Sequence, residues 1–261
     1  MNSVLRSNTA KLSGCGVLCA TTFVLACAAG ARAEEWGSVK GRFVWGGEVR
    51  NPKVLISRGD ANAKDLAICA ADTLYSNDLV VDPKTKGIQN IFVYLRDRPV
   101  AVHAGPSPEK LPELTQYVKG CRFEPHALFV RAGRRIRIVS RDPIDHHVQG
   151  TFFRNEPFND ALPSKGNHIQ RLSAGESLPM PIACHMFPHM KAHWLVLDHP
   201  YAAVTNTRGE FEIKNLPAGR HHFRVWHERA GLLFRDLEVT VNVDRVTKLE
   251  ALELPPDEFD E

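Results

Sequence analysis

The sequence has little net charge, and this shortage excludes one broad class of function. Its formal net charge at pH 7 is +3, and three of its 33 basic residues lie within the first 33 positions, which contain no acidic residue. The rest of the chain is therefore close to neutral. A nucleic-acid-binding protein needs a surplus of Lys and Arg on one face, so we expect no nucleic-acid partner. No coiled coil or low-complexity tract is present apart from the acidic tail at 256–261, which we expect to be solvated and frayed.

Cysteine is also scarce, with three of the six cysteines lying in the first 33 residues. The three cysteines beyond residue 33 can form at most one internal disulfide, which leaves one thiol over. Cys184 is the odd one out because histidine and methionine surround it in "ACHMFPHMKAHW" (Ala183–Trp194). Cys69 and Cys121 are then the predicted disulfide pair.

The first 33 residues have the pattern of a secretory signal peptide. Arg6 and Lys11 precede the apolar run "GCGVLCATTFVLACAAGA", and Ala31-Arg32-Ala33 resembles a cleavage site. The run is short for a bilayer span and no basic stop-transfer cluster follows it, so we expect no transmembrane anchor in the mature chain. We predict a periplasmic or secreted protein. A lipid anchor at Cys27, after "VLA", is a minor alternative.

Beyond the signal, alternating apolar and polar residues predict an all-β protein. Runs such as "VKGRFVWGG", "QNIFVYLRD", "RIRIVSRD" and "FRDLEVTVNV" are mostly bounded by Gly, Pro, Asn or Asp. The best helical candidate is Ser107–Val118, which Pro112 interrupts, so we expect a loop with one helical turn. The class predicted is a β-sandwich or barrel.

A metal site is indicated where one such run ends. Met180, Ile182 and Cys184 alternate onto one strand face, and the following loop supplies His189 and Met190, while His146 begins another run in "DPIDHHV". One thiolate, two imidazoles and a thioether form the ligand set of a blue-copper site. We therefore predict copper bound by His146, Cys184, His189 and Met190. Zinc remains an alternative.

Other histidines are assigned more ordinary roles. We expect His185 to lie on the surface because it follows Cys184 directly, and we expect His193 to be exposed and His126 to be structural. His221 and His227 share a strand face with Phe223, so we expect them to pack or to lie at a rim.

The chain resembles exported bacterial proteins that join a plastocyanin/azurin-like cupredoxin domain to a carboxypeptidase regulatory-like, or transthyretin-like, sandwich. The resemblance lies in "GCRFEPH", "RDPIDHHV", "FRNEPFN", "DHPYAAVT" and "FRVWHE". It implies a Greek-key cupredoxin-like sandwich, residues 112–199, inserted in or joined to the second sandwich, residues 34–111 and 200–255. Three consecutive small β modules are the alternative.

The resemblance also implies single-electron transfer to an unidentified redox partner protein, rather than an enzyme. The group usually has Cys-x-x-His-Pro-x-Met, whereas here Phe187 stands at the histidine position and His189 follows Pro188. His189 is the expected replacement ligand, and His146 is favoured over His147 by the motif. The alternative function is a metal-free carbohydrate- or protein-binding module in which the copper site has degenerated.

The arginines of one predicted hairpin are either a solvated strand face or a surface that steers an acidic partner. They are Arg131, Arg134, Arg135, Arg137 and Arg141.

Overall fold

The protein is an all-β structure, as its alternating sequence predicted. The computed structural model describes residues 35–259, so the predicted signal peptide, its cleavage site and Cys27 lie outside the described residues. The contacts join 34–261 into one compact unit. In the described part of the chain, no helix has the length and apolar character needed to cross a membrane.

Eighteen strands make up almost all of the regular structure of the described residues. The strands before the predicted metal loop are β1 (Trp36–Trp45), β2 (Val54–Ile56), β3 (Leu74–Tyr75), β4 (Phe92–Leu95), β5 (Leu114–Val118), β6 (Phe123–Glu124), β7 (Ala127–Arg131), β8 (Arg135–Ser140), β9 (His146–Gly150), β10 (Phe158–Leu162), β11 (Asn167–Arg171) and β12 (Met180–Cys184). Those after it are β13 (Lys191–Leu197), β14 (Ala202–Val204), β15 (Glu210–Pro217), β16 (Gly219–His227), β17 (Gly231–Val241) and β18 (Val246–Leu254). One short helix, α1 (Leu66–Cys69), and two 3₁₀ turns, Pro108–Lys110 and Pro256–Phe259, accompany them.

The middle of the chain forms a sandwich of two sheets, which we call the inner sandwich. A five-stranded sheet has the order β10-β9-β12-β13-β7, and a four-stranded sheet has the order β11-β8-β5-β6. Alternate residues of these strands point into a shared core that includes Ile138, Val148, Ile182 and Trp194, each with 0% exposure. Burying large apolar side chains on the inner faces stabilises both sheets, at about 2 kcal/mol for each side chain.

The described residues before and after the inner sandwich together form a second sandwich, which we call the outer sandwich. Strand β1 lies between β15 and β18 in one sheet, and β4 lies between β14 and β16 in another, with β17 at its edge. Phe43, Ile88, Phe223 and Val225 belong to the core between these sheets. Strands from before and after the inner sandwich thus pair with one another. The predicted boundaries at 112 and 199 remain a prediction.

A third, smaller core joins the two sandwiches. Phe92 and Tyr94 from the outer sandwich pack with Leu195 and Leu197 from β13 and with Ala127 from β7. Strand β13 is therefore buried on both faces, and its burial pattern is continuous from Trp194 to Leu197. Burial on both faces explains why Trp194–Leu197 is apolar at every position.

The predicted disulfide between Cys69 and Cys121 is present. It connects the end of α1 to the loop before β6, and both cysteines are buried in the inner sandwich core. Ile56 and Ile68 pack against the same core. The segment from β2 to β3 therefore contacts the inner sandwich, although the sequence placed it within the first part of the other sandwich.

Two local expectations were correct only in part. Leu114–Val118 is a strand that pairs with β8 in parallel, because Gln116 and Val118 alternate into the core; the only helical turn in Ser107–Val118 is Pro108–Lys110. The tail is also not wholly solvated, since Phe259 is 1% exposed and its ring lies 5.3 Å from that of Trp45.

Candidate metal centre

The fold brings together His146 and Cys184, two predicted ligands that lie 38 residues apart in sequence. Cys184 ends β12 and His146 begins β9, and these strands are antiparallel neighbours with Cys184 opposite Val148. The alternation that buries Met180, Ile182 and Cys184 is present as predicted. His146 is 1% and Cys184 is 2% exposed, so both side chains lie inside the inner sandwich.

The distance between their donor atoms fits a single metal ion. His146 Nδ1 lies 3.9 Å from Cys184 Sγ. With metal–sulfur and metal–nitrogen bonds of about 2.3 and 2.0–2.1 Å, that separation gives a nitrogen–metal–sulfur angle of about 125–130°. Such an angle is close to trigonal, the arrangement of strong ligands in a blue-copper site. The separation therefore leaves room for one metal ion between the two donor atoms.

Asp142 fixes the other side of the His146 ring. Its Oδ2 atom lies 3.1 Å from His146 Nε2 and accepts a hydrogen bond from the Cys121 N–H at 3.0 Å, while Oδ1 accepts from the Gly120 N–H at 2.6 Å. A carboxylate behind a histidine ligand sets the ring's tautomer and orientation. Nδ1 is thus left to face Cys184.

The surroundings of Cys184 favour its thiolate form. Burial would raise the pKa of this thiol, but hydrogen bonds from His146 and from the backbone N–H groups of His147, Phe187 and Met186 lower it below the ordinary value. Burial would also lower the pKa of His146, yet its hydrogen bonds to Asp142 and Cys184, and their charges, raise it to about 9. The thiolate is the form that binds a metal.

Phe187 packs beside this pair. Its ring lies 5.2 Å from the ring of His146, its side chain is almost fully buried, and the Lys64 ammonium lies 5.0 Å from its centroid. An apolar ring thus covers one side of His146, which is itself buried.

The neighbouring histidines face elsewhere. His147 is half-buried, and its ring lies 6.1 Å from that of His185, which is exposed as predicted. The structure therefore pairs His146, and not His147, with Cys184.

The other two predicted ligands, His189 and Met190, lie on the loop that follows Cys184. Burial lowers the pKa of His189, which donates a hydrogen bond to the Cys121 carbonyl, and its Nε2 atom is buried without a partner. Met190 is buried, and its carbonyl accepts the Cys184 N–H at 3.3 Å. Within 35–259, His146 and Cys184 belong to no trio of His, Cys, Asp or Glu side chains with ligand atoms inside 4.8 Å.

Two histidines that the sequence placed in ordinary roles meet at the junction of the sandwiches. The expected exposure of His193 was wrong: its side chain is 14% exposed and its Nδ1 atom lies 3.2 Å from Glu228 Oε2. His126 contacts the other oxygen of the same carboxylate. Sequence reasoning missed this group because Glu228 lies 102 residues from His126, directly after β16 of the other sandwich.

The predicted arginine hairpin was wrong, because β7 and β8 belong to different sheets, and these arginines are only partly free surface. Arg135 and Arg137 both pair with Glu113, and the Arg141 guanidinium lies 3.8 Å from the centre of the Tyr117 ring. These contacts lie on the exposed side of the four-stranded sheet.

No protein-family model matches the chain, and no curated protein matches it in sequence. Solved structures with similarity include the copper-containing nitrite reductase of Thermus scotoductus, with 21% identity, a TM-score of 0.31, and coverage of 38% of this chain and 25% of that one. A methionine-to-glutamine mutant of amicyanin in its Cu(I) form has 11% identity, a TM-score of 0.29, and coverage of 32% and 81%. A purple cupredoxin from Nitrosopumilus maritimus has 13% identity, a TM-score of 0.28, and coverage of 32% and 98%. The chain thus spans a quarter of the nitrite reductase, and cupredoxins are among the structures that it resembles.

Proposed function

We propose that this protein binds one copper ion at His146 and Cys184 and transfers single electrons to and from a partner protein. The observation that carries the proposal is the 3.9 Å separation of His146 Nδ1 and Cys184 Sγ inside the core. A thiolate and an imidazole at one buried point are the donors that copper sites share. Copper would supply the one-electron couple between Cu(I) and Cu(II).

The residues around the pair suit electron transfer because they hold it in place. Asp142 fixes the His146 ring, three backbone N–H groups hydrogen-bond the Cys184 sulfur, and Phe187 excludes water. Side chains packed in this way reorganise little when the charge of the site changes. The loop that follows β12 provides Met190 as the weak fourth ligand and His189 as the second imidazole of the proposed set.

Export from the cytoplasm belongs to the same proposal. The Cys69–Cys121 disulfide supports it, because disulfides persist mainly in oxidising compartments. We place the mature protein in the periplasm or outside the cell.

The test is titration of the purified protein with Cu²⁺, followed by visible absorption and electron paramagnetic resonance. We expect one Cu²⁺ per chain and an intense thiolate-to-copper band that Cys184→Ser abolishes. His185→Gln is the matched control, because His185 is exposed beside Cys184, and it should leave the band unchanged. His189→Gln and Met190→Leu should then shift the band if these residues complete the ligand set.

One observation favours a second function, a metal-free binding module. The Phe187 ring is fully packed against His146, and an imidazolium–thiolate pair that is closed in this way is stable without metal. Absence of both stoichiometric Cu²⁺ binding and the band, in protein that is folded by circular dichroism, would select this function and reject the copper carrier.

A further inference from the structure

The junction of the two sandwiches carries a cluster of metal-binding side chains that is separate from His146 and Cys184. His126 Nε2 lies 2.5 Å from Glu228 Oε1, and His193 Nδ1 lies 3.2 Å from Glu228 Oε2. One ligand atom from each of the three residues lies within 4.8 Å of the other two. Among the described residues, no other His, Cys, Asp and Glu side chains form such a trio.

The backbone fixes all three positions. His193 lies on β13 and His126 immediately precedes β7, its parallel neighbour, and the His193 N–H donates to the His126 carbonyl at 2.9 Å. Glu228 follows the last residue of β16. The His193 ring also packs 5.1 Å from the ring of Trp226. The cluster is therefore assembled by two sheets rather than by flexible surface side chains.

The polar atoms of the cluster are not fully satisfied by one another. His193 Nδ1 is buried and, despite its 3.2 Å approach to Glu228, makes no hydrogen bond of acceptable geometry. A buried ring nitrogen without a partner costs about 1–3 kcal/mol. Nδ1 and the carboxylate oxygen face each other across 3.2 Å, so one cation would contact both.

The distances fit a tetrahedral ion. With ligands at about 2.0–2.1 Å, donor atoms of a tetrahedral site lie about 3.3 Å apart, so the 3.2 Å separation between His193 Nδ1 and Glu228 Oε2 matches. The 2.5 Å contact of His126 Nε2 with Glu228 Oε1 has to lengthen by about 0.8 Å, and no pair need close by more than about 1.5 Å. His126 and Glu228 also line an open cleft of about 250 Å³, together with Ser76 and Asn77. A fourth ligand, water or a small anion, has access from that side.

We propose that His126, His193 and Glu228 form a second metal site, which binds a divalent transition metal with Zn²⁺ as the ion that best fits the donors. Two imidazoles and one glutamate with an open fourth position are the protein ligands of an accessible zinc site. The competing explanation is a purely structural ion pair between the sandwiches. A structural pair needs neither the second imidazole nor the open side.

The test uses the purified Cys184→Ser protein, so that the thiolate cannot bind the added metal. Calorimetric titration with Zn²⁺ should give one ion per chain, and Glu228→Gln or His126→Gln should weaken binding at least 100-fold. His222→Gln is the matched control: His222 lies on β16 and pairs with Asp236 at 2.6 Å without forming part of any such trio, so its loss should change Zn²⁺ affinity less than twofold.

A measurement without further substitution guards against variants that fail to fold. X-ray absorption of the zinc-loaded Cys184→Ser protein should show two imidazoles, oxygen donors and no sulfur. No Zn²⁺ binding up to 1 mM, binding that both variants leave unchanged, or a different number of imidazoles would overturn the proposal. None of these outcomes depends on copper binding at Cys184, so the two proposals fail separately.

Discussion

Replacing Asp142 with Asn tests whether this carboxylate holds His146 and the neighbouring loop of the candidate copper site in place. The carboxylate accepts hydrogen bonds from the Gly120 and Cys121 N–H groups and lies 3.1 Å from His146 Nε2. An amide retains one acceptor oxygen and presents an NH₂ group in place of the other. At least one donor therefore loses its acceptor, and the remaining bonds lose the assistance of the charge.

The expected loss follows from these three contacts. A hydrogen bond to a charged group contributes about 1.5–3 kcal/mol, and neutral bonds about half as much. We expect Asp142→Asn to lower the free energy of unfolding of the metal-free protein by about 3 kcal/mol. At about 2–4 °C per kcal/mol for a chain of this size, Tm should fall by about 6–12 °C. Cu²⁺ affinity should fall about 10- to 100-fold, as for other partners of metal ligands.

Urea unfolding followed by circular dichroism, and Cu²⁺ titration, measure the two effects. Asp145→Asn is the matched control because Asp145 lies in the same loop, is exposed, and accepts a hydrogen bond from Ser164. Its effect should stay below about 1 kcal/mol. If Asp142→Asn were no more destabilising than the control, the carboxylate would not be holding these donors and the reasoning would be refuted.

Three further predictions concern other parts of the molecule. Cys69→Ala with Cys121→Ala opens a link that spans 52 residues, and loop entropy gives a loss of about 4 kcal/mol, measurable by urea unfolding. Burial, with the nearby charge of Arg131, lowers the pKa of His199 to about 4, below its unfolded value of about 6.5. Between these two pH values the unfolded state binds more protons than the folded state. The free energy of unfolding therefore decreases by about 3 kcal/mol for this residue as pH falls from about 6.5 to about 4. His199→Asn should remove that decrease, as measured by unfolding at both pH values. Phe187→His places an imidazole beside His146 and should raise Cu²⁺ affinity at least tenfold by titration.

Each of these has a result that would contradict it. A double alanine variant as stable as the oxidised protein would mean that the disulfide constrains little. If His185→Asn, an exposed control, altered the slope across the same pH range as much as His199→Asn, burial would not be its cause. Phe187→Leu preserves an apolar side chain, so a gain of affinity in that variant as well would show that the imidazole is irrelevant.

Local sequence patterns were sufficient where one strand determined the outcome. Alternation placed Cys184 at the buried end of β12, and cysteine arithmetic identified the Cys69–Cys121 pair. The prediction of a solvated tail was wrong for Phe259, an apolar residue among acidic neighbours, because its ring is buried against Trp45. Charge composition averages over a segment, whereas packing depends on individual side chains.

The candidate site was only half accessible to the same reasoning. Residue types and spacing grouped His146 with Cys184, and the structure brings these two side chains together. His147 faces the other way because neighbouring residues of a strand point to opposite faces. Spacing likewise grouped His189 with Cys184, whereas in the structure the His189 side chain interacts with the backbone of Cys121.

The sequence by itself determined the all-β class, the disulfide and the chemical character of the loop that follows Cys184, since these depend on residue type and on periods of two along the chain. Only the tertiary structure decided that Asp142 lies behind His146, that Phe187 fills the space beside it, and that Glu228 meets His126 and His193. Those contacts join strands to loops that are distant in sequence and, for Glu228, join the two sandwiches. They form because sheets pair and pack over long sequence separations, which no local pattern encodes.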